Sequence, residues 1–171
     1  MLHNNQTKMK QIDPNKGLRL QRPESIVFVL SIDKNNKPSG MIAGWNMRAS
    51  SNPPIIAVAL SENGYTHKLI RESKEFVVAV PDKDLEEAVN FFGSTHGDKV
   101  DKFAKTKVKT TNSTSIKTPL LTDATLNYEC KLINEIKIGD HFVFFGEVIA
   151  AHHNPNKKIL MNLGESNFTQ F

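Results

Sequence analysis

Between Ser61 and Thr66 the chain reads SENGYT, which places three hydroxyl side chains, Ser61, Tyr65 and Thr66, within six residues around Gly64. The residues that follow, HKLIRESK, have the spacing of a short helix, with Leu69 and Ile70 on an apolar side and Lys68, Arg71, Glu72 and Lys74 on a wet one. A helix entrance presents its first free N–H groups and the positive end of its dipole, so hydroxyls gathered there suit an anion such as a phosphate. The same stretch also reads as an ordinary crossover helix with Thr66 as its N-cap. Taken alone, the segment leaves both readings open. Other polar or aromatic residues at the ends of elements could serve a ligand: Trp45 and Asn46, Ser50, Lys102 in DKF, and His141 in GDH. Singly, each reads more readily as surface charge or core than as a ligand-binding group.

Other chemistries lack their residues. There is no GxGxxG and no GxxxxGK[ST], so a Rossmann pocket or a P-loop is unsupported. The six histidines form no HExxH or HxH, and the adjacent His152 and His153 point to opposite faces of a strand, so no metal site is expected. No GxSxG elbow occurs, and Cys130 sits mid-strand as an inert thiol. A single cysteine excludes an internal disulfide and fits a reducing compartment. The 22 Lys and Arg are interleaved with 18 Asp and Glu, for a net charge of +4, and no block of like charge suggests nucleic acid as a partner. No apolar run approaches the ~20 residues of a membrane span, and the first residues have no apolar stretch of the signal-peptide kind. The expectation is a cytoplasmic protein that meets neither membrane nor nucleic acid.

The elements that must position these residues are mostly strands. Residues 1–22 are polar and aperiodic and read as a leading arm; residues 23–171 read as one domain. SIVFVLSID is a strand, SGMIAGWNMRASSNPP an irregular strand with bends, and IIAVAL and EFVVAVP are apolar enough to be buried on both faces. KDLEEAVNFFG sets Leu85, Ala88, Val89 and Phe92 on one helical face and ends at Gly93, and DKVDKFAK continues for about two turns. Residues 105–123 form a long polar connection. TLNYECKL alternates Leu126, Tyr128, Cys130 and Leu132 against polar neighbours, and with HFVFFGEVIAAHH it makes a hairpin through KIGD. A turn, NPNK, leads to ILMNLG and an aromatic tail. Six or seven strands with two or three short helices, and no βαβ alternation, predict a mostly-β fold: an antiparallel barrel with appended helices.

Taken together and in this order, these residues resemble the flavin reductase-like family, the FMN-binding split barrels that include flavoredoxin. The resemblance runs from Arg22 to Phe171. It lies in the spacing from Trp45 to the Pro53-Pro54 pair, in PPIIAVAL, YTHKLIRESKEFVV, DKVDKF and GDHFVFFGEV. It implies a Greek-key split β-barrel, a homodimer, and one FMN per subunit near the dimer interface. By the same resemblance Ser61, Tyr65 and Thr66 cradle the flavin phosphate, and Trp45 and Asn46 lie along the isoalloxazine ring. Lys102 and His141 approach the ring or the phosphate, Phe168 covers the flavin, and Met47, Ser50 and His96 join the cofactor-binding set. His141 is the implied catalytic residue. A cation near the carbonyl end of the ring favours the reduced anionic flavin and so raises its potential.

The chain departs from the family pattern at four places. Ser39 stands where an Asn is usual, Ile42 near a usual Thr, Gly64 where an Arg is usual, and His96-Gly97-Asp98 in place of a Ser-Gly-basic triplet. Loss of the arginine leaves the phosphate short of one charge-assisted partner; either Lys68, His67 or Arg48 replaces it, or FMN binds weakly and acts as a diffusible substrate. Two redox functions are compatible with the pattern, beside a third, non-redox one, a flavin-binding or scavenging module on the same barrel. One is an FMN-dependent oxidoreductase moving electrons between NADH or NADPH and flavin or a downstream acceptor. The other is a flavoredoxin-like electron-transfer protein reduced by a redox protein partner, without direct nicotinamide use.

Overall fold

The computed structural model describes residues 9–171. Residues 1–8 of the expected arm lie outside them; the rest of it carries α1 (Pro14–Arg19), which buries no side chain. After β1 (Glu24–Ser25) come β2 (Val27–Ile32), β3 (Pro38–Ala43), β4 (Asn46–Ser51) and β5 (Pro54–Ser61). Helix α2 (Tyr65–Ser73) leads to β6 (Glu75–Val80), then α3 (Glu86–Ser94) and α4 (Lys102–Thr106). The short β7 (Thr110–Thr111) and β8 (Leu120–Leu121) precede the long pair β9 (Leu126–Ile138) and β10 (His141–His153), and β11 (Leu160–Gly164) and β12 (Asn167–Gln170) close the chain. No described helix is long and apolar enough to cross a membrane.

The main sheet has seven strands in the order β3-β2-β6-β9-β10-β5-β4, every neighbouring pair antiparallel. Its two edge strands, β3 and β4, are joined by Gly44 and Trp45 alone. A link of two residues reaches no more than about 11 Å, so the sheet curls until its edges approach without pairing. The result is an antiparallel split barrel. The amide of Asn46 latches the crossover: its Nδ2 donates to the carbonyls of Gly44 (3.1 Å), Ala43 (3.3 Å) and Ser25 (3.4 Å), and its Oδ1 accepts from the Ser25 hydroxyl.

Strand β2 is buried along its whole length because both its faces are covered. Inside the barrel Val27 and Val29 pack with Val58, Leu60, Phe76, Val78 and Phe144. Outside, Phe28 and Leu30 pack with Leu85, Ala88, Val89 and Phe92, the predicted apolar face of α3; the Phe28 and Phe92 rings meet edge-on at 5.2 Å.

Several boundaries differ from the sequence expectation. The stretch read as one irregular strand is two, β3 and β4. The polar partners of the β9 alternation, Asn127 and Glu129, are buried rather than exposed, since β9 is a central strand covered on both sides. The Glu129 carboxylate pins the long connection, accepting from the N–H groups of Thr114, Ser115 and Ile116, the Thr114 hydroxyl and the His152 ring. Burial alone would push Glu129 up, but these donors outweigh it and hold the group down at about 2. Helix α3 runs one residue past Gly93, and α4 is a single five-residue turn.

Candidate functional site

The turn between β5 and α2 is short and tied at both ends. Gly64 N–H donates to the Ser61 carbonyl at 3.0 Å, and Glu62 N–H donates to the Asp140 carbonyl at 3.2 Å, joining this turn to the β9–β10 turn. Helix α2 starts at Tyr65, two residues before the expected start, so Thr66 is not its N-cap. Gly64 occupies that position and offers no side-chain acceptor, which leaves the first N–H groups of the helix free of side-chain caps. Thr66 is buried in the first turn, and His67, also buried, donates from Nδ1 to the Gly64 carbonyl. Burial, followed by Arg71 and Lys68, pushes the His67 imidazole down from its ordinary value, so the ring is neutral near pH 7.

On one side of this turn stands His141, the first residue of β10, opposite Ser61 of β5 in the ladder. Its Nδ1 donates to the Asp140 carboxylate at 2.6 Å, so Nε2 is the free ring nitrogen. The Trp45 ring lies against the His141 ring, centroids 4.6 Å apart at 38°, and remains 58% exposed. On the other side is a cleft of about 340 Å³ lined by Ser39, Tyr65, Gly97, Asp98 and Lys102 among others. Gly97 is required by close approach, since a Cβ there would fall 2.3 Å from Ser39 Oγ and 3.2 Å from the Tyr65 ring.

Lys102 is 3% exposed, and its ammonium donates to the Phe92 carbonyl at 2.7 Å, with α3 carrying that carbonyl and α4 the lysine. An ammonium has three donors, so two are left for a ligand. Burial lowers the Lys102 group to about 8, against the attraction of Asp98. Nearby Lys37 pairs with Asp101 at 2.9 Å, and Asp101 caps α4 through the Ala104 N–H.

The predicted residues thus divide. Trp45, Ser61, Tyr65, Thr66, Lys102 and His141 come together along the edge formed by β3, the β5–α2 turn and the start of β10. Asn46 is committed to the crossover latch. Met47 and Ser50 line a cavity at the opposite end of the barrel. His96 is exposed and does not line the Lys102 cleft; its carbonyl accepts from Lys99 and Val100. Phe168 lies on β12, packed against the outer core. Of the three replacements for the missing arginine, His67 is neutral and occupied, and Arg48 lines the far cavity. Lys68 remains on the exposed side of α2. Ser39, a departure from the family pattern, and Gly97, the glycine of the altered triplet, form the cleft wall; only their distance in the fold, not their identity, reveals that they touch.

The flavin reductase-like domain family matches residues 20–169. The chain belongs to that family. A protein of Archaeoglobus fulgidus is 37% identical over 117 residues, 68% of this chain and 66% of its own length. A ferric-chelate reductase (NAD(P)H) of the same organism is 30% identical over 78% of this chain and 79% of its own. A high molecular weight rubredoxin of Moorella thermoacetica is 29% identical over 73% of this chain, and the match spans about half of that protein, 54%. Among solved structures, flavoredoxin from Methanosarcina acetivorans superposes with a TM-score of 0.84 over 96% of this chain and 91% of its own, at 23% identity, which shows the shared fold.

FMN is the cofactor that this flavin reductase-like family implies, and the donor set fits it. The exposed Trp45 ring, with His141 against it, lies at one end. Uncapped helix N–H groups, hydroxyls and a buried ammonium lie at the other. That is the complement of a ring joined to a phosphate.

Proposed function

We propose that this chain is an FMN-dependent oxidoreductase of the flavin reductase-like type, passing electrons between NADH or NADPH and flavin or a downstream acceptor. The observation that carries the reading is the alignment of the Trp45–His141 ring pair, the Ser61–Thr66 turn and Lys102 along one edge of the barrel. FMN, when bound, supplies the two-electron chemistry, and the protein supplies placement and charge. Ser61, Thr66 and the first N–H groups of α2 hold the phosphate; Lys102 adds positive charge in a dry setting. His141, with Asp140 fixing its Nδ1 proton, keeps Nε2 free and would hold or pass a proton beside the bound flavin. The nicotinamide donor is supported by the name of the ferric-chelate reductase relative.

A second reading, a flavoredoxin-like electron-transfer protein served by a redox partner, draws on the exposure of Trp45, which leaves the ring edge open to another protein, and on the rubredoxin relative. The partner of the first kind is a second copy of this chain. Ladder pairing sets Met47, Ile136, Ile138, Val143 and Phe145 on the same outer face as His141, and Met47, Ile136 and Ile138 are exposed there. An apolar patch bordering the site fits a homodimer whose interface adjoins the flavin.

The test is an absorption spectrum of the FMN-loaded protein under anaerobic conditions, followed by NADH and by NADPH. Bleaching within a catalytic time supports the reductase, and the nucleotide that works names the donor. A flavin that bleaches with dithionite but with neither nucleotide supports the electron-transfer protein instead.

A further inference from the structure

The two ends of the barrel differ. Helix α2 plugs one, with Ile70 packed among Val29, Leu60, Phe76 and Phe144. The other end is open and holds a cavity of about 620 Å³, walled by Val27, Ile56, Val78, Val80, Tyr128 and Val148 among others. Barrel mouths are preferred places for small ligands, and sites of roughly 300–1,000 Å³ take molecules of that class. Arg48 is the one charged residue that lines it. Arg48 is exposed at the rim, and among the described residues its guanidinium, like that of Arg19, is in no ion pair, while Arg22 and Arg71 each have a carboxylate. The β4 ladder shifts register between Arg48 and Ser50, a bulge that re-aims side chains at the rim.

We propose that this cavity binds a medium-chain carboxylic acid, its chain in the barrel mouth and its carboxylate on Arg48. An apolar wall offers the chain release from water, and an unpaired guanidinium selects the anion by charge-assisted hydrogen bonds. Ser50 and Tyr128 add hydroxyls for the second carboxylate oxygen. The cavity lies at the other end of β5 from the Ser61–Thr66 turn: Ile55 and Ile56 line it, about 17–20 Å from Ser61 at strand rise. The two regions adjoin at the β3–β4 crossover, where Asn46 and Met47, next to Trp45, also border the cavity. The proposal rests on the barrel mouth and Arg48 and is tested without FMN reduction.

Decanoate is the probe, titrated into the protein by calorimetry, with decanol as the neutral control. One decanoate binds per chain. Arg48→Gln weakens decanoate about tenfold or more and leaves decanol unchanged, since only the charged contact is removed. Val148→Phe, which fills the mouth, weakens both, with a thermal melt confirming its fold. Equal decanoate affinity in wild type and Arg48→Gln overturns the proposal. So does the absence of saturable binding in the wild type, as when a second copy covers the mouth.

Discussion

The rings of Trp45 and His141 lie 4.6 Å apart, one on the β3–β4 crossover and the other at the first residue of β10. Neither position is set by local sequence. The crossover carries Trp45 to this edge only because the sheet curls, and the ladder places His141 beside Ser61. His141→Ala removes the proton-bearing ring but no core contact, because the residue is only half-buried. The expected outcome is an unchanged melting temperature with flavin reduction slowed about tenfold or more, read by stopped-flow absorbance. A wild-type rate and potential would reduce His141 to a support for Trp45.

Thr66 lies inside the first turn of α2 instead of capping it. Thr66→Ala therefore avoids the capping cost of about 1 kcal/mol, and its effect falls on the ligand. Losing a hydrogen bond to a charged phosphate weakens FMN about 10- to 100-fold. Riboflavin, which has no phosphate, loses far less. Paired titrations of the two flavins, with a melt of each apoprotein, make the measurement; equal losses would move the phosphate elsewhere.

Lys102 gives the site a pH dependence. Burial lowers its group to about 8, so the free protein carries the charge below that pH and loses it above. FMN affinity is expected to be level below pH 8 and to fall above it, by up to about tenfold per pH unit. Unfolding does not mimic this. A lysine with a depressed folded value makes stability rise with pH between about 8 and 10.5. Lys102→Gln should bind FMN more weakly at neutral pH and remove the slope, as read by fluorescence titration across pH 7 to 10.

Glu129 governs the acid limb of stability. Its folded value, about 2, lies below the ordinary 4.5, so its contribution is present above pH 4.5 and is lost as pH falls toward 2, on the order of 3 kcal/mol in all. Urea midpoints measured between pH 6 and 3 should fall steeply for wild type. They should fall less for Glu129→Gln, which starts lower because Thr114, Ser115 and His152 lose a charged acceptor.

Ile138 is 61% exposed on the outer face that also bears His141. Ile138→Asp sets a charge in the centre of the proposed subunit contact while leaving the barrel core untouched. Light scattering at micromolar concentration is expected to give a dimer for wild type and a monomer for the variant, with the melt of the barrel otherwise retained. A wild-type monomer that binds FMN fully would remove the second copy from the site.

The sequence by itself determined the elements that local rules govern. The β-branched runs of β2, β5 and β6 could be buried only as central strands, and Leu85, Ala88, Val89 and Phe92 could face only one way on a helix. The placement of Thr66, Lys102 and His141 at the ends of elements was legible for the same reason, because each lies close in sequence to a strand or helix end. Tertiary structure alone decided the rest. Asn46 became a latch, and Ser50 came to line the barrel-mouth cavity, because β4 closes against β5 and β1 instead of following β3. Glu129 reads as an exposed partner in an alternating strand, yet it is buried, because a loop earlier in the chain wraps four donors around it and His152 of β10 adds a fifth. Alternation reports which side of a strand a residue takes; what covers that side is set by chain distant in sequence, and no local pattern encodes it.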